Sequence, residues 1–173
     1  MNTPPESNRP SAAPQAPRRA VCAFSLVELA VVVALIGIIA GMAYPRYQSS
    51  LSRYRVDLSA RRLATDLALA QTAARSTGAF QGVTIDPGND RYGLSDQPSL
   101  SSAGGRYSVS LGDSPFFTTL RSARNENGDD VTLLRFDGYG RPDQSLSAHL
   151  RCGDHIRIVT VDGASGAINV TTP

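Results

Sequence analysis

The hydrophobic pattern changes character along the chain. Residues 24–43, FSLVELAVVVALIGIIAGMA, are apolar on every helical face and hold one charge, Glu28. At about 1.5 Å per residue, twenty such residues span roughly 30 Å, the thickness of bilayer hydrocarbon. A secretory signal has a shorter apolar core, ends at a small-residue cleavage site and carries no carboxylate near its start, so this segment reads as a retained membrane helix. Beyond Pro45, Leu51, Leu58, Leu63, Leu67, Ala70 and Ala74 recur at mostly three- to five-residue steps, which is one face of an amphipathic helix. A single helix is therefore predicted over residues 24–77. Pro45 removes a backbone donor and kinks it, and Gly78 caps its end.

From residue 79 onward, short β-rich runs alternate with Gly, Asp, Asn and Pro, the signature of antiparallel strands with tight connections. Strands are predicted at 80–85, 106–111, 116–120, 131–136, 156–161 and 167–170, with 86–105 and 137–153 as loops. Val159 and Val161 alternate with Thr160 and Asp162, and Ile168 and Val170 lie beyond the turn at 163–166, a pattern that predicts a closing hairpin. The chain is thus predicted to be α+β, a long N-terminal helix packed on a C-terminal antiparallel sheet domain.

Composition adds a boundary at the front. Residues 1–22 hold five of the eleven prolines and no periodic apolar pattern, so they cannot bury enough surface to fold. The organisation is then a leader at 1–23, a membrane helix at 24–43, its amphipathic continuation at 44–78 and a β-rich domain at 79–173. All 17 basic side chains are Arg, against 15 acids. Arg9, Arg18, Arg19 and Glu6 belong to the leader, so the rest of the chain is formally neutral, with 14 of each sign. A neutral body has no broad footprint for nucleic acid. Arg18 and Arg19 favour a cytoplasmic N-terminus, but Arg46, Arg53 and Arg55 follow the span, so charge alone leaves the orientation open.

Candidate chemistry is sparse. The loop Asn125, Glu126, Asn127, Gly128, Asp129, Asp130 offers oxygens to a cation but lacks the spaced ligands and terminal Glu of a calcium loop, and reads as a solvated turn. His149, Cys152, Asp154 and His155 match no zinc spacing, and their closeness in sequence orients no nucleophile and base. Cys152 reads as a small buried apolar residue. Cys22, preceded by Arg19, Ala20 and Val21, lacks the apolar stretch of a lipidation site. No metal, cofactor or catalytic residue is assigned, and the chain reads as a non-enzyme.

Ala23, Phe24, Ser25, Leu26, Val27 and Glu28, running straight into the apolar segment, resemble the processing site of type IV prepilins and type II secretion pseudopilins. The resemblance implies cleavage between Ala23 and Phe24 by a membrane prepilin peptidase, N-methylation of Phe24, and a filament-assembly role for Glu28. Ala23 departs from the usual Gly before the cut, which implies slower processing. An ionisable group within a span costs about 2.5–3.5 kcal/mol and needs a partner, and this helix supplies no basic one. The resemblance implies a neighbouring subunit's new amine. Gly37 and Gly41 add a small-residue spacing for helix approach. Cleavage would also remove Cys22 and leave Cys152 alone.

The strand signal Arg91, Tyr92, Gly93, Leu94, the turn Phe136, Asp137, Gly138, Tyr139, Gly140, Arg141 and the hairpin with Gly163 and Gly166 look like the GspH/FimT branch of minor subunits, which implies the pilin-like fold. The function implied is a minor pseudopilin of a type II secretion pseudopilus, with a type IV pilus minor pilin for assembly or DNA uptake as the alternative. Implied partners are the peptidase, other major and minor pseudopilins or pilins, and inner-membrane lipid. The implied location is the inner membrane, single-pass, with the N-terminus cytoplasmic and the β domain periplasmic. Some FimT-like members bind DNA through Gly-Arg-x-Arg. Here Asp143 follows Gly140, Arg141 and Pro142, which argues against DNA as a partner.

Overall fold

The computed structural model describes residues 25–98 and 106–173, except the side chains of 42–45 and 96–98. One helix, α1, runs Leu26–Thr77. The chain divides into two units, Met1–Ala40 and Gly41–Pro173. In the first, the described residues are one exposed helical segment. Its apolar side chains, among them Leu29, Val33, Ile36 and Ile39, have no core to enter within that unit.

In the second unit, α1 buries Val56, Ala60, Leu63, Leu67, Ala70 and Ala74, a row stepping by three and four residues. Leu51 and Leu58 of the predicted stripe are only half-buried, because Val56 and Ala60 hold the face nearest the sheets. The helix ends where Gly78 turns to a φ of +63°, the left-handed conformation that favours glycine.

Among the described residues eight strands follow: β1 Gln81–Asp86, β2 Arg91–Pro98, β3 Arg106–Ser110, β4 Thr119–Arg124, β5 Leu133–Phe136, β6 Leu146–Cys152, β7 His155–Val161 and β8 Ile168–Thr171. They form two antiparallel four-stranded sheets, ordered β3-β2-β1-β5 and β4-β6-β7-β8. The inward residues of both sheets join the buried row of α1 in one apolar cluster. The closing hairpin forms as expected, and its register sets Val161 opposite Ile168 and Val159 opposite Val170.

Three sequence expectations are corrected. The region 137–153 contains β6, in which Leu146, Ala148, Leu150 and Cys152 point inward in strict alternation. The region 86–105 contains β2. The strand expected at 116–120 starts instead at Thr119, since the amides of Phe116 and Phe117 both donate to the Asp113 carbonyl, at 2.9 and 3.1 Å, in a tight turn. Phe117 there has a φ of +47°, which no strand residue adopts.

Candidate assembly helix and its clamps

The helix that carries the sequence motif begins with Glu28 in its first turn, where unpaired backbone N–H groups favour an anion. Glu28 is exposed and has no ion pair among the described residues. Ala23 and Phe24, the expected cleavage pair, lie outside the described residues. So does the Pro45 side chain, although α1 includes residue 45 on its course. By length and composition α1 is able to cross a membrane.

Within the second unit, polar clamps tie α1 to the strands and turns at successive levels. The Ser49 hydroxyl lies 3.2 Å from Nε2 of His155, and Asp57 takes Arg157 at 2.5 Å. The Ser59 hydroxyl donates to Thr118 Oγ1 at 2.9 Å, inside the core. Arg55 stacks over the Phe117 ring at 4.6 Å. Near the helix end, Gln71 Nε2 donates to the carbonyls of Gly140 at 2.8 Å and Gly166 at 3.0 Å, joining two distant turns. Arg75 Nε donates to the Tyr139 carbonyl at 3.1 Å.

The strongest clamp is one the sequence reading missed. Asp66 is 3% exposed, on the buried side of α1. Its Oδ2 accepts from Tyr92 Oη at 2.6 Å, Tyr107 Oη at 2.8 Å and Arg62 Nε at 3.2 Å. Arg62 also donates to the Tyr107 hydroxyl through Nη2. Desolvation, then the hydrogen bond to Asp66, pushes both phenols above their usual range. The hydrogen bond to Tyr107, against a desolvation cost, holds the Arg62 guanidinium even further in its charged form. A buried carboxylate with three donors is satisfied, and it fixes the rotation of α1 against β2 and β3. The available signal was the Arg62/Asp66 pair at i and i+4, with Asp66 beside Leu63 and Leu67 on the apolar side.

The other sequence candidates are dispersed. Cys152 points inward and its thiol donates to the Phe117 carbonyl at 3.3 Å. His149 lies on the other face of β6, and His155 meets Ser49. The acidic loop is a turn closed by its own groups: Asn125 Oδ1 accepts the Asp129 amide at 2.9 Å, and Gly128 takes a φ of +88°. Among the described residues, no three acidic, His or Cys side chains gather as a metal site.

Comparison with known proteins bears on the helix and on the whole chain. A family model described as the prokaryotic N-terminal methylation motif matches residues 18–44, which enclose Ala23, Phe24 and Glu28. The chain is 33% identical over 124 residues to fimbrial protein Q of Moraxella bovis, covering 65% of this chain and 78% of that protein. The chain belongs to the type IV pilin-like family. Fimbrial protein EcpB of Eikenella corrodens is 37% identical over 68 residues, 39% of this chain and 40% of the relative. This pilin-like chain therefore spans less than half of that second relative.

The pilin-like fold is also seen in solved structures. The type IV minor pilin FimU of Pseudomonas aeruginosa superposes with a TM-score of 0.52 at 16% identity, covering 70% of this chain and 94% of that one. The minor pseudopilin EpsH from the type 2 secretion system of Vibrio cholerae gives a TM-score of 0.54 at 15% identity, covering 69% and 96%. Both likenesses establish the shared fold, a long helix packed on antiparallel sheets.

Proposed function

We propose that the chain is a minor, non-catalytic structural subunit of a membrane-assembled filament. The observation that carries this reading is the methylation-motif match over residues 18–44, joined without a break to the helix that is clamped onto the β strands. A prepilin peptidase cuts between Ala23 and Phe24 and methylates Phe24. Residues 24–43 then hold the subunit in the inner membrane, with the N-terminus cytoplasmic and residues 79–173 periplasmic. Pro45 bends the helix where it leaves the lipid.

On assembly the same apolar segment packs against neighbouring helices, and Glu28 is neutralised by a neighbour's N-terminal amine. The clamps make the second unit one load-bearing piece, so force on the helix reaches the sheets. The first assignment is a minor pseudopilin of a type II secretion pseudopilus, supported by the fold shared with EpsH. A type IV pilus minor pilin is favoured by the fimbrial relatives at 33% and 37% identity.

Deleting the gene and complementing it with Glu28→Ala tests the reading. The variant is expected to be processed normally yet recovered in sheared or overexpressed filaments at less than a tenth of the wild-type amount. Full incorporation and full function of Glu28→Ala contradict assembly through Glu28. Loss of protein secretion after deletion assigns the pseudopilus, and loss of surface pili assigns the pilus.

A further inference from the structure

The face of α1 turned away from the sheets has its own chemistry. Arg46, Tyr47, Ser50, Arg53, Tyr54 and Arg61 are all exposed. At about 100° per residue they fall within about 120° of helical arc, forming one stripe about 22 Å long. Tyr47 is 67% and Tyr54 64% exposed, so two aromatic rings stand in solvent between the arginines. Arg46, Arg53 and Arg61 have no ion pair among the described residues. The other arginines of the helix do have partners: Arg55 stacks on Phe117, Arg62 holds Asp66, and Arg75 meets Tyr139.

Two of the three acids of α1 are already used. It contains Glu28, Asp57 and Asp66. Asp57 binds Arg157 and Asp66 is enclosed by Arg62, Tyr92 and Tyr107. Two copies of this helix meeting along the stripe would set guanidinium against guanidinium. Sliding one copy past the other leaves only Glu28 to answer three arginines.

On the reading of the chain as a filament subunit, we propose that the stripe of Arg46, Tyr47, Arg53, Tyr54 and Arg61 is a docking surface for an acidic helix face on a different subunit, and that it excludes a second copy of this chain. Arginine and tyrosine are residues that interfaces favour, with aromatic area for burial and guanidinium forks for carboxylates. Like-charge contact makes the surface selective as well as adhesive. A lipid surface is a poorer occupant, because Arg61 lies about 27 Å of helix beyond residue 43, past the headgroup layer. The stripe thereby gives a physical cause for low copy number, since the subunit enters beside acidic neighbours and not beside itself.

The test uses the full chain, fluorescently labelled, in neutral detergent and in liposomes. Wild-type protein is mixed with itself and with the charge-reversed variant Arg46→Glu/Arg53→Glu/Arg61→Glu, and association is read by energy transfer. At low salt the mixed pair is expected to associate at least about tenfold more tightly than either chain with itself, and the gain is expected to vanish in high salt. Equal association in all three combinations overturns the proposal, as does a wild-type pair that is the tightest. A gain seen only in phosphatidylglycerol liposomes and absent from phosphatidylcholine also overturns it, in favour of lipid.

Should the reversed chain fail to fold, Arg46→Gln/Arg53→Gln/Arg61→Gln is expected to self-associate more than wild type, and unchanged self-association overturns the proposal. These readouts do not depend on leader processing. Failure here therefore leaves the filament reading standing, and a wrong mature N-terminus leaves this result unaffected.

Discussion

Tyr92 donates its phenol to the Asp66 carboxylate at 2.6 Å, across the buried seam between α1 and β2. Removing the hydroxyl takes one charge-assisted bond from a carboxylate that water cannot reach. Tyr92→Phe is expected to lower unfolding free energy by about 1–3 kcal/mol. Asp66→Ala is expected to cost more, because two phenols and a guanidinium lose their acceptor together. Denaturant unfolding of both variants checks this, and Tyr107→Phe, at a half-buried position, is expected to fall below Tyr92→Phe.

The same seam sets an alkaline limit. Both phenols are raised above their ordinary value of 10.0, so the folded protein keeps protons that the unfolded chain releases. Their contribution is complete below pH 10 and is lost as pH climbs toward the folded values. The melting temperature is expected to hold from neutrality to about pH 9.5 and to fall beyond it, more gently in Tyr92→Phe than in wild type. An identical alkaline slope in the two proteins would remove Tyr92 as the cause.

A mirror effect belongs to the closing hairpin. Asp162 Oδ1 accepts the amides of Ser165 at 2.6 Å and Ala164 at 3.1 Å, and the Ser165 hydroxyl at 2.7 Å. The amide of Ser165, then its hydroxyl, holds this carboxyl below its ordinary value of 3.8. Its support is present above that pH and lost as the pH falls through the folded value. Asp162→Asn is expected to speed amide hydrogen exchange in the 162–167 turn at neutral pH, with the difference from wild type shrinking below about pH 4.

The end of α1 tests backbone fit. A Cβ on Gly138 would stand 2.7 Å from the carbonyl oxygen of Gly78, a contact between two backbones that side-chain adjustment does not relieve. Gly78 itself has open space around it and only its φ of +63° to protect. Gly138→Ala is accordingly expected to destabilise by about 1–3 kcal/mol and Gly78→Ala by about 1 kcal/mol, read from thermal unfolding. Equal small effects would contradict the close approach of the two turns.

The long helix and the closing hairpin were legible because their signals are periodic: Leu63, Leu67, Ala70 and Ala74 step at helical spacing, and Val159 and Val161 alternate with polar residues. Strand β6 was hidden by its composition. Its inward positions include Ala148 and Cys152, which alternate correctly but are poor advertisements for a strand. The 116–120 reading counted two phenylalanines and missed that Asp113 closes a turn around them. Asp66 escaped notice because a charge next to an apolar stripe usually marks its solvent edge. Only the arrival of Tyr92 and Tyr107 from β2 and β3 turns it into a core residue, and that meeting is a matter of tertiary register.

The start of the mature chain is where processing as a filament subunit leaves its most direct trace. Intact mass and N-terminal fragmentation of the protein recovered from membranes of cells that contain a prepilin peptidase would locate it. A mature chain beginning at Phe24 with its amine methylated is expected, with accumulation of uncleaved precursor when the peptidase is deleted. Recovery of intact Met1 in peptidase-containing cells, or of a start other than methylated Phe24, would contradict it.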